Sequence, residues 1–107
     1  MSNQFSKLGN SDEIIKSLSE LKITEPTEIQ EKSIPILLTN TDDFIGLAKT
    51  GTGKTAAFGL PLLQLIDTKN QNIQAVILVP TRELGHQIFN NLEVYANYLP
   101  EVSIAAT

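Results

Sequence analysis

Eight residues, Ala48-Lys49-Thr50-Gly51-Thr52-Gly53-Lys54-Thr55, constrain this chain more than any other feature. They lie between a short apolar run, Phe44-Ile45-Gly46-Leu47-Ala48, and a longer apolar pattern over residues 54–66. The first reads as a buried strand and the second as a largely buried helix with a bend near Pro61. Gly51 and Gly53 allow main-chain torsions that a Cβ would obstruct, so successive N–H groups can turn toward one point. A helix opening at Gly53-Lys54 adds its unpaired first-turn amides and the positive end of its dipole. Such a bend suits a chain of phosphates, whose negative charges need donors already in place. Lys54 then reaches the β and γ phosphates of a nucleoside triphosphate, and the Thr55 hydroxyl is placed to ligate Mg2+. The general pattern starts with glycine where this chain has Ala48, and the rest of it is intact.

The remaining periodicity supplies a frame for that loop. Ser11 and Asp12 are positioned to cap a helix with Ile14, Ile15, Leu18 and Leu21 on one face. Pro26 biases its neighbours away from helix, and Thr27 with Gln30 three residues on has the form of a capping box. The box opens a second helix over Ile29, Ile34, Leu37 and Leu38, with Pro35 inside it as a candidate kink. Residues 40–43 are turn-like. Ala75-Val76-Ile77-Leu78-Val79 is the clearest strand, uninterrupted as a strand covered on both faces is expected to be. A third long helix follows Pro80 and Thr81, carries Leu84, Ile88, Leu92 and Tyr95, and is closed by Pro100. Residues 101–107 begin another strand-like run. Strands alternating with helices imply a parallel sheet with right-handed crossovers, an incomplete doubly wound α/β domain. The expected final strand is an unpaired edge, open to dimerisation or aggregation.

Composition narrows the chemistry. With 107 residues, 41% of them hydrophobic, the chain can build one modest core and one half of a binding site. It has no cysteine and one histidine, so neither a disulfide framework nor a thiolate or histidine-cluster metal site is available. No apolar stretch is long enough for a membrane span, and no basic-plus-apolar leader opens the chain, so a soluble protein in the cytoplasm is expected. The net charge of -4, from 8 basic and 12 acidic residues, argues against broad electrostatic capture of nucleic acid and leaves room for a local contact.

Three further places carry two readings each. The Gln30 amide can present a donor and an acceptor to the edge of adenine, or serve as a capping residue on its helix. Phe5 can stack on a base or pack the N-terminal arm onto the domain. Pro80-Thr81-Arg82 follows the strongest strand, at the sheet edge where ligands of open α/β folds gather. Thr81, Arg82 and the amides of the next helix are there placed for a polymer phosphate, while the alternative has Thr81 as a helix cap and Arg82 on the surface. His86 has no nucleophile or metal partner in view and reads as an ordinary helix residue.

These residues together resemble the DEAD-box RNA helicases, bacterial type. Residues 22–30, Lys22-Ile23-Thr24-Glu25-Pro26-Thr27-Glu28-Ile29-Gln30, are similar to the Q motif, with Phe5 at the place of the isolated upstream aromatic. Residues 48–55 resemble motif I, alanine included, and residues 80–87, Pro80-Thr81-Arg82-Glu83-Leu84-Gly85-His86-Gln87, resemble motif Ia. Lys22 and Ile23 stand where the Q motif usually has glycine and an aromatic, and Gly85 stands where motif Ia usually has alanine. The resemblance implies a P-loop NTPase fold, a RecA-like parallel sheet flanked by helices, here the truncated N-terminal portion of a first RecA-like domain. It implies that Gln30 reads adenine and Phe5 helps hold the base. Ala48, Lys49, Thr50, Gly51, Thr52, Gly53, Lys54 and Thr55 bind the phosphates of ATP, and Thr55 binds Mg2+. Pro80, Thr81 and Arg82 touch the RNA backbone. The Asp-Glu-Ala-Asp and Ser-Ala-Thr motifs and the second RecA-like domain are absent from the 107 residues. The intact parent is therefore expected to couple ATP hydrolysis to local RNA unwinding, with these residues alone inactive. A non-catalytic ATP-binding or regulatory module and a DNA helicase are the rival readings.

Overall fold

Capping signals set the helix boundaries. The computed structural model describes residues 4–39, 43–47 and 53–106. It forms α1 (Gln4–Lys7), α2 (Asp12–Glu20), α3 (Glu28–Thr39), α4 (Lys54–Leu65) and α5 (Arg82–Tyr95). The expected turn residues 40–42, the loop residues Ala48, Lys49, Thr50, Gly51 and Thr52, and Thr107 lie outside the described residues.

The capping box at the head of α3 is formed as its spacing predicts. The Gln30 amide N–H donates to Thr27 Oγ1 at 3.4 Å, and the Thr27 amide N–H donates to Gln30 Oε1 at 2.9 Å. Ser11 precedes α2 in extended conformation but its side chain makes no capping bond; its backbone N–H instead donates to Gln64 Oε1 at 2.9 Å. Gln64 also donates to the Gly9 carbonyl at 2.8 Å, so the end of α4 holds the connection between α1 and α2. α1 itself has no counterpart among the expected elements. It exists because Phe5 is driven fully into the core beside Ile14 and Leu18.

α4 is the central element, packed against α3 on one side and α5 on the other. Its buried residues are mostly small, Ala56, Ala57 and Gly59 with Leu60, Pro61 and Leu63, which lets neighbouring helices approach closely. A Cβ at Gly59 would stand 2.6 Å from Leu92 Cδ2, inside van der Waals contact. Both interior prolines, Pro35 and Pro61, are accommodated without breaking their helices. α5 ends at Tyr95, before Pro100, and keeps Ile88 and Leu92 buried while Leu84 is exposed. Leu21, expected on the buried face of α2, is its exposed C-cap.

The three expected strands form no ladder among the described residues. Segment 75–79 was expected to be covered on both faces and is covered on one. Ile77 and Val79 pack on the helical core, whereas Val76 is 73% and Leu78 91% exposed. Val102 and Ile104 alternate in the same way, and Ile45 and Leu47 project into solvent. A period of two is that of extended chain, so the segments keep strand spacing while their backbone groups lack neighbours to pair with.

α2 ends in a Schellman arrangement. The Ile23 N–H donates to the Leu18 carbonyl at 2.9 Å and the Lys22 N–H to the Ser19 carbonyl at 3.0 Å, with Lys22 at φ 61. This left-handed position favours glycine, and a lysine there carries about 1–2 kcal/mol of steric cost. After the extra unfolded-state entropy of glycine is deducted, Lys22→Gly is expected to stabilise the protein by roughly 0.5–1 kcal/mol in urea unfolding. Gly59→Ala is expected to do the reverse despite alanine's better helix propensity. Overpacking against Leu92 should cost about 1–3 kcal/mol in the same measurement.

Candidate functional site

Gly53 ends the glycine loop as the N-cap of α4, at φ 84 and ψ 26. Its carbonyl accepts two bonds, from the Ala57 N–H at 3.1 Å and from Gln30 Nε2 at 3.1 Å. A Cβ at this position would lie 2.3 Å from Gln30 Nε2 and 3.2 Å from Thr27 Oγ1. Two constraints therefore demand glycine here: the left-handed torsion, and the approach of the α3 capping box to the backbone. Gln30 is 4% exposed, and its side chain joins Thr27 to Gly53. Among the described residues the amide leaves one N–H and one acceptor lone pair without a partner.

At the start of α4 no side chain caps the helix and no acidic residue occupies the first turn, in contrast to Asp12 and Glu13 in α2, Glu28 and Glu31 in α3, and Glu83 in α5. Exposed Lys54 and half-buried Thr55 are the first two residues of that turn. Neither side chain forms a hydrogen bond or ion pair with the described residues. First-turn amides, a cation and a hydroxyl, all without partners among the described residues, thus meet at the positive end of one helix, an arrangement suited to a polyanion.

α3 and α4 are tied a second time, one turn further in. Ser33 Oγ, 2% exposed, donates to the Ala57 carbonyl at 2.9 Å. Neither Ser33 nor Gln64 stood out in the sequence. The signal for Ser33 was Pro61, which leaves the carbonyl four residues earlier without its helical donor.

The second polar corner has both of its expected features. Thr81 caps α5, its Oγ1 accepting from the Leu84 N–H at 3.1 Å, as the capping alternative predicts. Pro80, Thr81 and Arg82 are exposed, and Arg82 has no ion-pair partner among the described residues. Gly85 faces the preceding segment closely, since a Cβ there would lie 3.2 Å from Val79 Cγ2. His86 is exposed, and no group of metal-ligating side chains occurs among the described residues. Phe5 is fully buried, so the ring packs and offers no open face.

Tyr98 donates to the Glu20 carboxylate and lies under Lys16 Nζ, 4.4 Å from the ring centre; the bond to Glu20 raises its pKa first, with burial second. Burial raises that of Tyr95. On the surface of α3, Glu28 and Lys32 pair at 2.9 Å, which lowers the first and raises the second.

The chain matches the DEAD/DEAH box helicase family model over residues 27–107. It is 54% identical over 84 residues to the ATP-dependent RNA helicase CshA of Limosilactobacillus reuteri, covering 78% of this chain and 17% of that protein. It is 51% identical over 89 residues to the ATP-dependent rRNA helicase rrp3 of Aspergillus terreus, covering 83% of this chain and 20% of that one. Among solved structures, S. cerevisiae Dbp5 bound to RNA and ADP BeF3 superposes with a TM-score of 0.84 at 34% identity, covering 91% of this chain and 25% of that one. A DEAD box protein from Methanococcus jannaschii gives 0.80 at 40% identity, covering 85% and 25%. The chain thus spans a quarter or less of the length of these relatives. The helices and one-sided extended segments accordingly belong to a RecA-like P-loop α/β domain. On its sequence match and its superposition alike, this chain is a member of the DEAD/DEAH box helicase family.

Proposed function

We propose that these residues are the ATP-entry side of an ATP-dependent RNA helicase, the N-terminal portion of a first RecA-like domain that closes with a second over ATP and RNA. The bond from Gln30 to the Gly53 carbonyl carries this reading. It joins Gln30 to the residue before α4, which supports a single ligand whose base is read from α3 and whose phosphates are held at the head of α4. The spare donor and acceptor of Gln30 match the N7 and N6 edge of adenine. Ala48, Lys49, Thr50, Gly51, Thr52 and Gly53 supply main-chain donors to the phosphates. Lys54 counters the charge that develops on the β and γ phosphates during transfer. Phe5 contributes by packing α1 into the core.

The Thr55 hydroxyl, without a hydrogen-bond partner among the described residues and in the first turn of α4, fits Mg2+, which prefers oxygen ligands and keeps several waters. When bound, the ion neutralises charge shared between phosphates. Pro80, Thr81 and Arg82 hold the RNA backbone through one guanidinium and the first-turn amides of α5. Such contacts carry position and no sequence information. Hydrolysis needs an acidic motif that orients water, and the 107 residues hold no Asp-Glu-Ala-Asp, so they are inactive alone. The cytoplasm is the proposed location.

Lys54→Ala in the intact protein is expected to lower RNA-stimulated ATP turnover by about a hundred-fold or more, read in a coupled assay. Turnover at the original rate would refute the phosphate site. Arg82→Ala should weaken RNA binding alike across sequences and flatten the slope of log affinity against log salt by about 0.7, the signature of one lost phosphate contact on a single strand. Side-by-side duplex substrates read the polymer. Preferential DNA unwinding would reverse the assignment to RNA.

A further inference from the structure

The Ala57 carbonyl sits in α4 four residues before Pro61, which has no N–H to give it. Buried carbonyls without donors are costly, and this one is buried. Its donor comes from another helix, the 2.9 Å bond from Ser33 Oγ. The contrast with Pro35 is informative. That proline orphans the Glu31 carbonyl on the exposed side of α3, where water can serve it, and no side chain among the described residues donates to it.

We infer that Ser33 is a positioning residue for the nucleotide site, holding α4 at a fixed offset from α3 through the carbonyl that Pro61 leaves open. This inference rests on the reading of the site as an ATP site. Ser33 lies three residues after Gln30, and Ala57 four residues after Gly53, so the two bonds form successive rungs between the helices. One rung alone is a pivot, and two set an angle. The angle matters because the adenine-facing amide is on α3 while Lys54 and the open amides are on α4. A ligand that spans both helices senses the offset, and a ligand that touches α4 alone does not.

The test uses the full-length protein with Mg2+-ATP and Mg2+-tripolyphosphate, the second carrying phosphates without a base. Ser33→Ala is expected to weaken ATP about five-fold, the equivalent of one ordinary hydrogen bond, and tripolyphosphate less than about two-fold. Pro61→Ala restores an N–H to the Ala57 carbonyl from within α4, so Ser33→Ala added to Pro61→Ala should leave ATP affinity within about two-fold of Pro61→Ala alone. Urea unfolding of the same four proteins should show the matching coupling, a smaller loss from Ser33→Ala once Pro61 is replaced. Equal weakening of both ligands, or the same loss in both backgrounds, overturns the inference. Should Ser33→Ala alone not fold, Pro61→Ala and the double variant still decide it, because a gap between them beyond about two-fold contradicts the proposed substitution of donors. Failure of the unmodified protein to bind either ligand removes the nucleotide site itself, whereas binding that is indifferent to Ser33 removes only its positioning role.

Discussion

The Gly53 carbonyl is the point on which the described structure turns. It closes the first turn of α4 by accepting from Ala57 and receives the Gln30 amide from α3. An acceptor with two lone pairs is thereby shared between a helix's own ladder and its neighbour. The sharing is possible only because residue 53 has no side chain. With a Cβ 2.3 Å from Gln30 Nε2, either α3 would retreat or the loop would change its torsion. Gly53 thus serves two ends at once, taking a left-handed torsion ahead of α4 and admitting α3 against its carbonyl.

Much of this was legible in the sequence, for a reason that is local. A capping box needs only Thr27 and Gln30 at the right spacing, and an N-cap at Thr81 needs only a hydroxyl before a helix. Both are settled within four residues and both form. Helix identity was likewise fixed by apolar recurrence. What escaped was settled at long range. Gln64 meets Gly9 and Ser11 from more than fifty positions away, and Ser33 meets Ala57 because of a proline that lies four residues beyond its acceptor. Phe5 carried both a stacking and a packing reading, since a lone aromatic in a polar segment gives no periodicity. In the structure the ring lies in the core.

The departures from the family pattern acquire physical content from the backbone. Lys22 occupies a left-handed torsion at the end of α2, which accounts for glycine being the usual residue there. Ile23, in place of an aromatic, is the residue after that turn; its N–H closes the Schellman bond and its side chain packs on the core. The position therefore keeps its structural duty with a smaller apolar group. Gly85 sits where α5 passes Val79 with 3.2 Å to spare for a Cβ, so alanine there requires a shift of a few tenths of an ångström. The glycine gives up helix propensity and relaxes that contact.

The extended segments show how far a sequence pattern can run ahead of the structure it belongs to. An uninterrupted apolar run such as 75–79 encodes two covers, one for each face, and hydrogen-bonding neighbours on both edges. The helical core supplies the first cover, taking Ile77 and Val79. Val76 and Leu78 point the other way into solvent, and their exposure measures the second cover directly. A solvent-facing position does not favour a run of β-branched and aliphatic side chains, because each exposed one forgoes burial of its apolar surface. The same side of Ile45 and Leu47 is equally bare. These residues are chosen for a sheet with helices on both sides, the architecture into which the matched stretch of the longer relatives superposes. The alternation along 76–79 thus separates the two halves of that architecture residue by residue: odd numbers belong to the helices present, and even numbers to a layer on the opposite face.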